Sequence, residues 1–101
     1  MNKSTALINA GKFARLVREY LSPEAIIMFG SYANGTPGKW SDIDIAVIFD
    51  GFQGKHLETS AYLWRLSYEI DGNIEPHLLD KADDPTGFVS DILRTGIEIN
   101  A

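Results

Sequence analysis

The chain is expected to fold as an α/β domain around a small mixed sheet, and three observations predict it. Segments with helical periodicity alternate with short apolar runs, in the order αβαβαβα. The two clearest runs, Ala25–Phe29 (AIIMF) and Asp42–Phe49 (DIDIAVIF), have the length of strands rather than helices. The connection between them, residues 30–41, has little room for a full crossover helix, which favours a mixed sheet over a wholly parallel one.

The elements follow from local chemistry. Ser4–Leu21 is read as a helix because Leu7, Ile8, Phe13, Leu16, Val17 and Tyr20 recur at roughly helical spacing. Gly11 weakens its middle and allows a later start, and Ser22-Pro23 ends it. The run AIIMF suits a buried first strand. Gly30 permits a sharp turn after it, and Ser31 is placed as the N-cap of a short helix that stops near Gly35. Thr36, Pro37 and Gly38 are turn formers, so Lys39 and Trp40 fall on a loop. Asp42–Phe49 is the second strand, acidic at its start and apolar afterwards; Asp50-Gly51 closes it.

Lys55–Ile70 reads as a second long helix, with Leu57, Ala61, Leu63 or Trp64, and Tyr68 on its apolar face. A turn at Asp71-Gly72-Asn73 leads to a third strand, Ile74–Leu79, where Pro76 points to an edge position or a bulge. Phe88, Ile92 and Leu93 line a final helix capped by Gly96. Ile97-Glu98-Ile99 follows as a short tail able to extend.

Composition narrows the function. A chain of 101 residues is expected to form one domain, residues 1–101, with a single modest core. It has no cysteine, which excludes disulfides and thiolate metal sites and makes the cytoplasm the default location. No apolar run is as long as a membrane span. The net charge of -5 argues against broad nucleic-acid binding and suits an acidic metal site or a basic partner.

The chemistry concentrates between residues 30 and 44. On a strand, residues two apart share a face, so Asp42 and Asp44 present neighbouring carboxylates while Ile43 turns away. Like charges that close call for a cation between them. Gly30 and Ser31 offer a close backbone approach, a hydroxyl and helix-start N–H groups, which suit a phosphate. A phosphate cradle facing a hard-metal site is the equipment of phosphoryl or nucleotidyl transfer.

Gly30-Ser31, ten intervening residues and Asp42-x-Asp44 together resemble the signature of the nucleotidyltransferase superfamily that includes DNA polymerase beta. The short chain resembles its smallest branch, the minimal nucleotidyltransferases, commonly antitoxin partners of HEPN-domain toxins. The resemblance covers most of the chain. It implies a three-stranded mixed sheet with helices packed against it. It also implies a reaction: AMP passes from ATP to a tyrosine hydroxyl of the toxin, with two Mg2+ ions held by Asp42, Asp44 and Glu75 and the triphosphate contacted by Gly30 and Ser31. Glu75 is the third acid because it lies on the third strand, where the family's third carboxylate is expected.

Several neighbours have plainer readings. His77 shares a face with Glu75 if the strand is regular, and a satisfied, half-buried histidine accounts for it. Lys39 is a solvated loop lysine or a counter-charge for triphosphate, and Trp40 covers the core or stacks on a base. Asp50, Asp71, Asp80, Asp83 and Asp84 sit beside turn formers and read as turn chemistry. Asn34 stands where many relatives carry arginine, replacing a phosphate-pairing guanidinium with a neutral amide. The short chain has no evident acceptor domain, so the acceptor is expected on a partner protein, in a homo- or hetero-oligomer, with apolar helix surface near Trp64 and Tyr68 as the contact. Two other readings stand beside transfer to a toxin. One is a non-catalytic antitoxin that works by occlusion. The other is transfer to a small molecule such as an aminoglycoside.

Overall fold

The computed structural model describes residues 2–38 and 41–101; the expectations for Lys39 and Trp40 lie outside them. Helix α1 (Lys3–Tyr20) starts where Asn2 accepts the Thr5 N–H with its side chain, and it runs unbroken through Gly11. Its Ala6, Ala10, Phe13, Ala14 and Val17 are buried. Strand β1 (Ala25–Phe29) leads into the single-turn helix α2 (Ser31–Asn34). Strand β2 (Ile43–Phe49), helix α3 (His56–Ile70) and strand β3 (Ile74–Asp80) follow, then helix α4 (Phe88–Thr95) and a two-residue strand β4 (Ile97–Glu98).

The sheet order is β3-β2-β1-β4. β1 lies antiparallel to β2, because the short segment between them can only turn back. β2 and β3 run parallel, because α3 supplies the crossover. The expected three strands are therefore four: the C-terminal tail pairs antiparallel with β1, Ile27 opposite Glu98 and Met28 opposite Ile97. Two residues are too few to show a period-two pattern in sequence. The strand exists because β1 has an open edge beside it, and because Arg18 on α1 donates to the carbonyls of Ile99 and Ala101 beyond it.

Strand alternation divides the core. Ile26, Met28, Ile43, Ile45, Val47 and Ile74 pack against α1 and α3 on one face. Ala25, Ile27, Ala46 and Ile48 pack against Val89 and Ile92 of α4 on the other, with Phe29 and Leu79 at its margin. α4 differs from expectation: Val89 and Ile92 are its buried residues, while Phe88 and Leu93 stand partly exposed. α3 is turned further still. Its core contacts are Leu63 and Leu66, whereas Leu57, Trp64 and Tyr68 face outward. Sequence spacing marks two stripes on this helix, and only packing decides which one goes inside.

Gly96 follows α4 as expected, but for another reason. Its φ of -79° suits any residue. A Cβ there would collide with the Ile27 side chain and press on the Ile92 and Met28 carbonyl oxygens. The close approach lets the chain pass from α4 straight into β4. Gly96→Ala is expected to lower stability by about 1–3 kcal/mol, the usual cost of overpacking, as measured by urea unfolding.

Candidate active site

The acidic residues gather at one end of the sheet face that carries α4. Asp44, the second residue of β2, pairs in register with Glu75, the second residue of β3, and with Phe29 at the end of β1. Parallel partners point the same way, so both carboxylates emerge side by side. The expected strand Asp42–Phe49 is one residue shorter, and Asp42 sits exposed just ahead of it. Asp42 lies near enough to push the Glu75 carboxyl up, so it stands beside the in-register pair.

β3 is regular through Pro76, as an edge strand permits, and keeps the Ile45–Pro76 and Ala46–His77 register. His77 therefore shares the face of Glu75. Its Nε2 lies 3.2 Å from Asp44 Oδ1 and 3.9 Å from Glu75 Oε1, and its ring packs edge-on against Phe29 at 5.1 Å. Asp44, Glu75 and His77 each offer a ligand atom within 4.8 Å of the other two. The plain reading of a half-buried, partnered histidine holds, yet that partner is the acidic pair itself. The period-two step from Glu75 was the signal for it.

Burial pushes the Glu75 carboxyl up from its ordinary 4.5; His77 pulls it down, and Asp44 and Asp42 push it up again. The folded chain thus binds this proton more readily than the unfolded one. Glu75 therefore favours folding at low pH, and that contribution is lost as pH rises through its folded-state pKa. Glu75→Gln, neutral at every pH, is expected to melt higher than the parent at pH 7 in chelator. The difference should vanish below about pH 4, and differential scanning calorimetry across pH checks it.

Gly30 brings the first turn up to this cluster. Its φ of 77° and ψ of -153° belong to a region that side chains avoid. A Cβ at this position would lie 2.5 Å from Asp44 Oδ2. Gly30, not Ser31, is the N-cap of α2; Ser31 is its first helical residue. Gly30 has no side chain to cap the helix, which leaves its first N–H groups open to water or a ligand. Gly35, with φ 76°, closes the turn as a left-handed C-cap, and Asn34 is exposed beside it. A small cavity of about 110 Å³ adjoins Gly30, walled by Ala33, Asn34, Phe88 and Gly96 among others.

A larger cavity, about 460 Å³, lies elsewhere, at the far end of β3 between the loops around Phe52 and Asp84. Two of its carboxylates are structurally engaged. Asp80 accepts the N–H groups of Gly51, Phe52 and Ala82, and Asp84 accepts those of Val89 and Ser90. Both are held below the usual aspartate range by these bonds, which agrees with their reading as turn chemistry. The chemically distinctive groups are those of the open acidic cluster, not of this roomier hollow.

Oxygen donors dominate that cluster: two strand carboxylates, with a third beside them. Such a set suits a hard divalent cation, and the space a Gly30 Cβ would fill stays open against Asp44. No helix among the described residues is long and apolar enough to cross a membrane.

A family profile described as "Nucleotidyltransferase domain" matches residues 11–99. The fold is similar to the crystal structure of a Sulfolobus solfataricus protein described there as a candidate nucleotidyltransferase. That match has a TM-score of 0.68 and 25% identity, and it covers 95% of this chain and 80% of the other. None of the curated proteins compared matches the sequence.

Proposed function

The chain belongs to the nucleotidyltransferase family and is a transferase; from that premise we propose that it acts as an antitoxin, moving AMP from ATP to a tyrosine hydroxyl of a HEPN-domain toxin. The observation that supports a catalytic site most directly is the register pairing of Asp44 with Glu75, with Asp42 alongside.

Asp42, Asp44 and Glu75 would hold the Mg2+ ions. Bound there, Mg2+ supplies neutralisation of triphosphate charge and acidification of the acceptor hydroxyl. The chain's own groups do the rest. Gly30 and Ser31 turn backbone N–H groups and a hydroxyl toward the phosphates, where the absence of a Cβ allows a close approach. Glu75 accepts the acceptor's proton as the hydroxyl oxygen bonds to the α-phosphorus. The bond from that phosphorus to pyrophosphate breaks. His77 donates to Asp44 when its Nε2 carries the proton, and so holds the carboxylate in place.

A second reading, occlusion without transfer, is favoured by one observation: Asn34 offers no guanidinium to the triphosphate. Incubation of the chain with Mg2+, α-labelled ATP and the protein encoded beside it separates the two. Label is expected on the partner and lost with Asp42→Asn or Asp44→Asn; a stable complex that never takes up label establishes occlusion instead.

A further inference from the structure

Helix α3 has a second apolar stripe that no other part of the described chain covers. Leu57, Ala61, Trp64 and Tyr68 recur at steps of four, three and four, which places them on one face. Leu57 is 84% exposed, Tyr68 68% and Trp64 36%. The Trp64 and Tyr68 rings lie 6.4 Å apart and present one aromatic surface. Along one flank run four exposed charges in the order plus, minus, plus, minus: Lys55, Glu58, Arg65 and Glu69. Arg65 lies over the Tyr62 ring at 5.1 Å, which keeps its guanidinium on that flank.

We propose that this surface is a two-fold interface at which α3 packs antiparallel against α3 of a second copy of the chain. The apolar stripe maps onto itself when reversed about a point between Tyr62 and Leu63. Reversal sets Leu57 against Tyr68 of the second copy and Ala61 against Trp64, a small residue under a large one. The hollow that receives Trp64 is present, about 400 Å³, lined by Glu58, Ala61, Tyr62 and Arg65. The same reversal leaves Glu58 two positions from direct opposition to Arg65, an offset that residues flanking the seam of antiparallel helices bridge with long side chains. A two-fold axis across antiparallel helices keeps each flank beside its own copy, so Glu58 and Arg65 meet there. A second copy supplies both the matching apolar stripe and an opposite charge for Glu58 and for Arg65, which selects it over an unrelated partner. The apolar stripe supplies the affinity, and the rim charges set direction and register. The acidic cluster lies on the opposite face of the sheet from α3 and stays open in both copies.

Sedimentation equilibrium of the purified full chain tests this. A dimer that dissociates on dilution is expected, and Trp64→Glu should leave only monomer. Glu58→Arg and Arg65→Glu should each weaken the dimer about five- to tenfold, because every substitution acts twice across a two-fold axis. The double variant Glu58→Arg/Arg65→Glu should return to within about threefold of the parent, since the pair is merely exchanged. Circular dichroism confirms folding; all three positions are outside the core. A monomer at every concentration overturns the proposal, including one that dimerises only with a different protein. So does a dimer indifferent to Trp64→Glu, or a double variant no tighter than the singles.

Discussion

Asp44→Asn is expected to reduce nucleotidyl transfer about a hundredfold or more, the loss of several kcal/mol of transition-state stabilisation, with a melting temperature equal to or above the parent's. Both halves follow from where Asp44 sits. It is in register with Glu75, within 3.2 Å of His77 Nε2, and directly beneath Gly30. A hard cation held by this cluster would lose a charged oxygen from its shell, and asparagine cannot replace the charge. In chelator the same change relieves repulsion between like charges and keeps the side-chain shape. Initial-rate measurement with labelled ATP and calorimetry in chelator read the two halves separately. A variant that keeps full activity removes Asp44 from the reaction. One that loses activity together with its fold makes the residue structural.

Gly30→Ala should damage both stability and activity. The backbone at Gly30, φ 77° and ψ -153°, is open essentially to glycine alone, so strain of about 1–3 kcal/mol is expected before any contact is counted. The added methyl then meets Asp44 Oδ2 at 2.5 Å. Relief requires the carboxylate to swing toward Glu75 or α2 to lift off the end of β2, and either movement separates the phosphate-facing turn from the acids. A total loss of about 3 kcal/mol or more is expected in denaturant unfolding, together with transfer reduced about as far as in Asp44→Asn. Ser31→Ala, which keeps the backbone, should spare stability. If Gly30→Ala retained parental stability, the conformation described for this turn would be wrong.

Much of this arrangement was legible in the sequence. The AIIMF run is β1 at both ends, and Gly35 stops α2. The short link from β1 to β2 and the long helix before β3 set antiparallel and parallel pairing respectively. Asp42 and Asp44 could be singled out because they are close in sequence and share a parity. Glu75 could be named by strand but not by spacing, since a loop and a whole helix lie between. Its partnership with Asp44 is a matter of register between strands far apart in the chain. His77 carried the right parity, and Pro76 cast doubt on it only until β3 was placed at the sheet's edge.

What the sequence by itself determined is everything set by neighbours a few residues apart: which segments are helix or strand, where they turn, and which strand residues share a face. The tertiary structure alone decided the rest. It turned Leu63 and Leu66 of α3 inward and left Leu57, Trp64 and Tyr68 outside. It made a strand of Ile97–Glu98, and it gave Gly96 its need for glycine through contact with Ile27 and the Ile92 and Met28 carbonyls rather than through backbone geometry. The physical reason is the same throughout. Backbone propensity and periodicity act over one or two turns of chain, whereas burial and register depend on which surfaces are brought together.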